Sequence, residues 1–163
     1  MPFCLLLQSA IIVAGGRDSQ NNDLASCEQF NVQLNQWSSI ASLNKPRSNA
    51  AAAAHSHSVF VFGGFSNVDG NLDEIEEYNT AANKWTVLQA RLSVARESLA
   101  AAYLDDSIYI FGGLNENKVE EASSATECYD IKKKECKSTE AVHTQMYLAV
   151  ATSVVLTRKQ VCA

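Results

Sequence analysis

Three times in 163 residues the chain runs an apolar, strand-like segment into two adjacent glycines. The segments are "AIIVAGGR" at Gly15-Gly16, "SVFVFGGF" at Gly63-Gly64 and "SIYIFGGL" at Gly112-Gly113. The pairs stand 48 and 49 residues apart, and self-similarity at such a period marks a repeat architecture. Further features keep step with the glycines. Glu28 and Glu76 follow the first glycine of their pairs by 13 residues, and Glu127 follows by 15. Two residues beyond each Glu comes an aromatic, Phe30, Tyr78 or Tyr129. Seven residues further stand Trp37, Trp85 and, out of pattern, Cys136. Arg47 and Arg96 each precede the next glycine pair by 16 residues.

Local patterns say what one unit is. "HSVFVFGG" and "DSIYIFGG" are β-branched and aromatic runs of strand length. "EIEEYN" and "ATECYD" alternate, which puts Glu76 with Tyr78, and Glu127 with Tyr129, on one face. "NQWSSI" and "NKWTVL" follow short polar turns, as hairpin partners do. "NAAAAAH", "SLAAAYL" and "YLAVATS" precede the glycine strand at a fixed distance. The alanine run 50–54 would be helix by propensity alone. It is too short for a stable helix, and small side chains suit an innermost strand where sheets converge. Each unit therefore reads as four short strands, A to D, with the glycines closing strand B.

A four-stranded unit of about 50 residues with a glycine doublet and a spaced aromatic pair resembles a kelch repeat, one blade of a β-propeller. "KPRSNAAAAAHSHSVFVFGGF" and "DEIEEYNTAANKW" carry the resemblance most fully. The expected fold class is all-β: about three four-stranded antiparallel blades of a partial propeller filling 1–163. The expected blades are 1–42, 43–91 and 92–140, the first lacking most of its leading strand, with 141–163 opening a divergent fourth. The opening "MPFCLLLQSAIIVAGG" has no Lys or Arg before its apolar run, and it reads as strand rather than secretory signal. Gln145 replaces the repeated Arg and "VVLTRKQVCA" lacks a glycine pair, so the chain reads as a fragment or truncated product. Three blades leave open sheet edges through which self-association is expected.

Structural roles follow for the repeated residues. Gly15, Gly16, Gly63, Gly64, Gly112 and Gly113 let a neighbouring backbone or ring approach where a Cβ would collide. Trp37 and Trp85, with Phe30, Tyr78 and Tyr129, are expected to fill the wedges between blades. Glu28 or Glu76 is expected to pair with Arg47 or Arg96, the pairs fixing geometry between strands. No G-x-G-x-x-G or G-K-[ST] context surrounds the glycines, so they are not a phosphate loop.

Strand parity sends the B–C and D–A loops to one end. The B–C segments 17–26, 65–74 and 114–126 are long and polar, and loops on a rigid scaffold carry recognition. Expected partner-binding residues are Arg17, Asn21, Phe65, Asn67, Asp69, Asn115 and Lys118, with Asn44 and Lys45 from a D–A loop. The cluster Asp69, Asp73, Glu74, Glu76, Glu77 suits a basic peptide. The resemblance is closest to kelch-like proteins, which are similar to substrate adaptors of cullin-type ubiquitin ligases. It implies a non-catalytic protein-binding module without BTB or BACK regions, the alternative being an actin-binding or cytoskeletal scaffold.

Other classes find little support. A net charge of −5 argues against nucleic acid, and no apolar run approaches the ~20 residues that span a bilayer. Five cysteines without a C-x-x-C pair fit reduced thiols in the cytoplasm. Some kelch propellers are copper oxidases. Here His55 and His57 fall in an A–B turn, apart from His143 and without a carboxylate cluster. No metal, cofactor or catalysis is expected.

Overall fold

The computed structural model of the chain describes residues 3–7 and 10–141. They form three four-stranded antiparallel sheets built one after another along the chain. The first holds β1 (Phe3–Leu7), β2 (Ala10–Ala14), β3 (Cys27–Asn31) and β4 (Gln36–Ile40). The second holds β5 (Ala51–His55) and β6 (Ser58–Phe62). The two-residue strands β7 (Phe65–Ser66) and β8 (Gly70–Asn71) then pair within a loop, and β9 (Glu74–Asn79) and β10 (Lys84–Arg91) complete the sheet. The third holds β11 (Ala100–Leu104), β12 (Ser107–Phe111), β13 (Thr126–Asp130) and β14 (Glu135–Ser138). The alanine tract is strand, and β5 lies beside both β1 and β11, so the leading strands of the three sheets converge. Alanine suits that line because a larger side chain would hold the sheets apart.

Three expectations about elements need correction. The first sheet does not lack its leading strand: "FCLLL" pairs with β2 in unbroken register from Phe3↔Ala14 to Leu7↔Ala10. The segment 114–126 is not loop throughout, since α1 (Val119–Ser124) forms one short helix within it. That helix is too short for its apolar spacing to show in sequence. His55 also ends β5 instead of lying in the turn, and its ring stacks on Tyr103 at 4.6 Å. The segment 142–163, which includes Gln145 and His143, lies outside the described residues.

Two apolar seams hold the sheets. Between the first and second, Ile12, Ala14 and Cys27 meet Val59, Val61, Tyr78 and Trp85. Between the second and third, Phe60, Phe62, Ile75 and Leu88 meet Ile108, Ile110 and Tyr129. Trp85 is 3% exposed and donates its indole N–H to the Ala41 carbonyl of the preceding unit at 2.9 Å. Trp37 does not fill a wedge. It is 49% exposed, Phe30 beside it is only half-buried, and among the described residues no sheet stands on their side of the first.

The glycine pairs dock the chain onto itself. Gly16 donates its N–H to the Arg47 carbonyl at 2.8 Å, and Gly64 donates to the Arg96 carbonyl at 2.9 Å. A Cβ on Gly63, whose φ is +57°, would lie 2.5 Å from the Arg96 carbonyl oxygen. Each Arg then sends its side chain forward into its own sheet. Arg47 binds the Gly63 carbonyl at 2.9 Å and Glu76 at 2.7 Å, while Arg96 meets Glu127 at 2.6 Å. The pairs are thus Arg47 with Glu76 and Arg96 with Glu127. Glu28 is exposed and has no ion pair among the described residues.

Candidate functional site

Strand direction gathers the loops after β2, β6 and β12, with those before β5 and β11, at one end of the sheets. Neighbouring loops are tied together there. Arg17 pairs with Asp23 at 2.9 Å and lays its guanidinium over the Phe65 ring, 5.3 Å from the centroid. Asn67 donates its backbone N–H to Asp23 at 2.6 Å and its side-chain amide to the Asn21 carbonyl at 2.8 Å. Asn21 adopts φ +63°, a left-handed turn conformation that Asn tolerates. Ser48 and Phe65 exchange backbone hydrogen bonds, which anchors the second long loop to the segment entering its own sheet.

The D–A residues are held from below. Asn44 donates both its backbone and side-chain N–H groups to Glu76 Oε2, at 2.9 and 2.8 Å. Its amide is therefore committed to the Arg47–Glu76 pair. Lys45 spans Glu74 at 3.0 Å and Asp69 at 3.2 Å. Partial burial works against its charge, but the two carboxylates outweigh that and leave its pKa raised. Beneath them, burial pulls the Arg47 pKa below its ordinary value while Glu76 and Glu74 push back.

Two clefts open between the loops. One, of about 410 Å³, is lined by Asn22, Asp23, Lys45, Asn67, Val68 and Asp69, among others. Val68 at its lip is 90% exposed. The other, of about 370 Å³, lies between the second and third long loops. Phe65, Asp69, Asn71, Glu97, Asn115 and Glu116 line most of it. Asn115 is buried, donating to the Ala95 carbonyl at 2.7 Å and accepting from the Asn117 N–H at 2.9 Å.

The structure thus brings Lys45, Phe65, Asn67, Asp69 and Asn115 to the clefts, with Arg17 and Asn21 bracing one wall. Asn44 lies beneath, and Lys118 points along α1 to Glu121 at 3.3 Å. Sequence reasoning passed over Asp23, Val68, Asn71, Glu97 and Glu116. Glu97 had a signal, since it directly follows the repeated Arg96 as Ser48 follows Arg47. Among the described residues no three His, Cys, Asp or Glu side chains are grouped to hold a metal, and no helix is long and apolar enough to cross a membrane.

Comparison with known proteins agrees with the architecture. The family model described as the KLHDC2/KLHL20/DRC7 Kelch-repeats domain matches residues 3–162. Alpha-scruin of Limulus polyphemus is 32% identical over 116 residues, 68% of this chain and 12% of that protein. Kelch-like protein 33 of Homo sapiens is 34% identical over 110 residues, 66% of this chain and 20% of that protein. The chain therefore spans a small part of these relatives' length. The solved structure of YjhT superposes with a TM-score of 0.74 over 87% of this chain and 51% of that one. At 16% identity that likeness concerns the fold alone.

Proposed function

We propose that this chain, which belongs to the kelch-repeat family, binds another protein through the end where its B–C and D–A loops gather. The observation that carries the reading is the bracing of one long loop by the next: Asn67 reaches back to Asp23 and Asn21, and Arg17 covers Phe65. Loops held in place before a ligand arrives lose little conformational freedom on binding it.

The second cleft favours a basic partner segment. Asp69, Glu97 and Glu116 line it beside the amides of Asn71, Asn115 and Asn117. Glu97 and Glu116 have no ion pair among the described residues, so an incoming Arg or Lys meets carboxylates not already neutralised. The amides suit the backbone of an extended peptide, and Val68 offers an apolar contact nearby. Within a longer polypeptide the same end would choose the protein presented to a cullin-type ubiquitin ligase, as the resemblance to kelch-like adaptors implies.

Selection of a displayed random-peptide library on the folded chain tests this. Enriched peptides are expected to carry Arg or Lys and to lose at least tenfold in affinity on a Glu97→Lys/Glu116→Lys variant. Enrichment of acidic peptides, or binding indifferent to that variant, would reject the reading. For the adaptor role, proteins captured by the wild-type chain and not by the variant should become ubiquitinated when the chain is carried in a polypeptide that recruits a cullin.

A further inference from the structure

The long loop of the second unit divides the two clefts. Its strands β7 and β8 pair as a small hairpin with Asn67, Val68 and Asp69 at the tip. Ser66, Asn67 and Val68 line the first cleft, Gly70 and Asn71 line the second, and Asp69 lines both. The hairpin is tied down on each flank. Asn67 holds Asp23 and the Asn21 carbonyl of the first long loop, while Asn71 donates its side-chain amide to the Leu114 carbonyl of the third at 3.4 Å. At the tip the Val68 N–H donates to the Ser66 hydroxyl at 3.3 Å, and the Val68 residue is 90% exposed. An apolar group is thus presented to solvent on a braced support.

The clefts differ in how their charges are disposed. In the first, Asp23 is paired with Arg17, and Lys45 is paired with Asp69 and Glu74. Those charges are answered within the fold, and the wall left over is mostly apolar, with Pro46 and Val68 on it. A further charge would be desolvated there without a partner, whereas an apolar group gains by leaving water. In the second, the Glu97 and Glu116 carboxylates have no cationic partner among the described residues. That cleft favours a guanidinium or ammonium group. Every residue lining the two clefts lies between Asn22 and Asn117.

Resting on the basic-partner reading above, we propose that the partner is an extended segment that straddles the β7–β8 hairpin, with two anchors of different chemistry. An apolar side chain enters the first cleft against Val68 and Pro46, and a basic side chain enters the second towards Glu97 and Glu116. The hairpin sets their spacing. Paired strands lie about 5 Å apart, and side chains on the outer flanks bring the width to roughly 10 Å. An extended chain advances about 3.3 Å per residue, so the apolar and basic positions fall about two to four residues apart. Val68 selects the apolar position, and the two carboxylates select the basic one. Because the hairpin is fixed to both neighbouring loops, the two requirements are read together as one motif and not as two independent contacts.

A displayed peptide library with a fixed central Arg and randomised flanks tests the spacing on the folded chain. Leu, Ile, Val, Met and Phe are expected to be enriched about two to four positions from that Arg. In a recovered peptide, replacing the apolar residue with Ser should weaken binding at least about fivefold on the wild-type chain and no more than about twofold on Val68→Ser. Replacing the Arg with Gln should weaken binding to both chains alike. Val68 is so exposed that its replacement leaves the fold intact. Apolar residues spread evenly along the recovered peptides, or an apolar-to-Ser loss of equal size on both chains, would overturn the inference and leave the basic-partner reading standing. Recovery no better than from a library with a fixed central Glu would remove that reading, and this inference with it.

Discussion

Arg47 and Glu76 meet at 2.7 Å with neither side chain exposed to solvent, and each is also tied to something else. Arg47 holds the Gly63 carbonyl, while Glu76 holds both N–H groups of Asn44. The pair thus links the end of one strand, the middle of another and the loop that enters the sheet. Removing one partner of such a buried pair leaves an unpaired charge and costs about 3–5 kcal/mol, whereas removing both costs far less than the sum. Arg47→Met and Glu76→Leu should each fall in that range by urea unfolding, with the double variant well short of additive. Additivity would mean that the contact does not couple them.

Gly63 and Gly70 both have positive φ, +57° and +75°, but only Gly63 is crowded. A Cβ there would sit 2.5 Å from the Arg96 carbonyl, and one on Gly70 would meet nothing within 4 Å. Gly70→Ala should therefore cost only the left-handed backbone strain, about 1–2 kcal/mol. Gly63→Ala adds the collision and should cost at least about 2 kcal/mol more, by analogy with other overpacked sites. Equal losses in thermal unfolding would remove close approach as the reason for the glycine pair.

Much of this was legible because the repeat supplies several independent witnesses to each position. The alanine tract reads as helix by itself and as strand once "SLAAAYL" is laid beside it. Trp37 shows the limit of that method. Repetition assigns it the same contacts as Trp85, but burial depends on whether a sheet stands opposite, which no local pattern records. The choice between Glu28 and Glu76 as partner of Arg47 had the same origin, being settled by which sheet each segment enters. At the loop end, chain parity indicated where the long loops gather, but the tie from Asn44 to Glu76 spans 32 residues and leaves no spacing signal. The α1 helix was hidden for lack of length.

Alkaline pH should loosen the seams. Burial pushes the Cys27 thiol up to about 11. Burial, with Glu127 adding to it, pushes Cys136 up to about 12, and burial likewise raises the Tyr129 hydroxyl to about 12. A folded-state pKa above the unfolded value means that the native state holds its proton longer. The associated stability is intact below the unfolded thiol pKa of about 8.5 and is lost as pH rises towards 11–12. Urea midpoints should hold level from pH 7 to 8 and decline steadily above about 9. Replacing Cys27 and Cys136 with Ser should flatten the first part of that decline, leaving the Tyr129 contribution at higher pH. A wild-type midpoint that does not fall between pH 9 and 11 would contradict the burial of these groups.

Asn83 offers the sharpest test of the seam between the first two sheets. Its side-chain oxygen accepts the Ala41 N–H at 2.8 Å from across the seam and the Tyr78 hydroxyl at 2.9 Å from within its own sheet. Its φ of +46° would by itself make glycine welcome. Asn83→Gly therefore relieves backbone strain but orphans a donor on each side, and the net loss should be about 1–3 kcal/mol. Asn83→Asp keeps an acceptor in place and tolerates the same φ, so its loss should stay near or below about 1 kcal/mol. Hydrogen exchange at Ala41 separates the two, since faster exchange is expected only where the acceptor is gone. Were Asn83→Gly as stable as wild type with Ala41 still protected, the clasp would be ornamental, and the seam would rest on Trp85 and the aliphatic contacts alone.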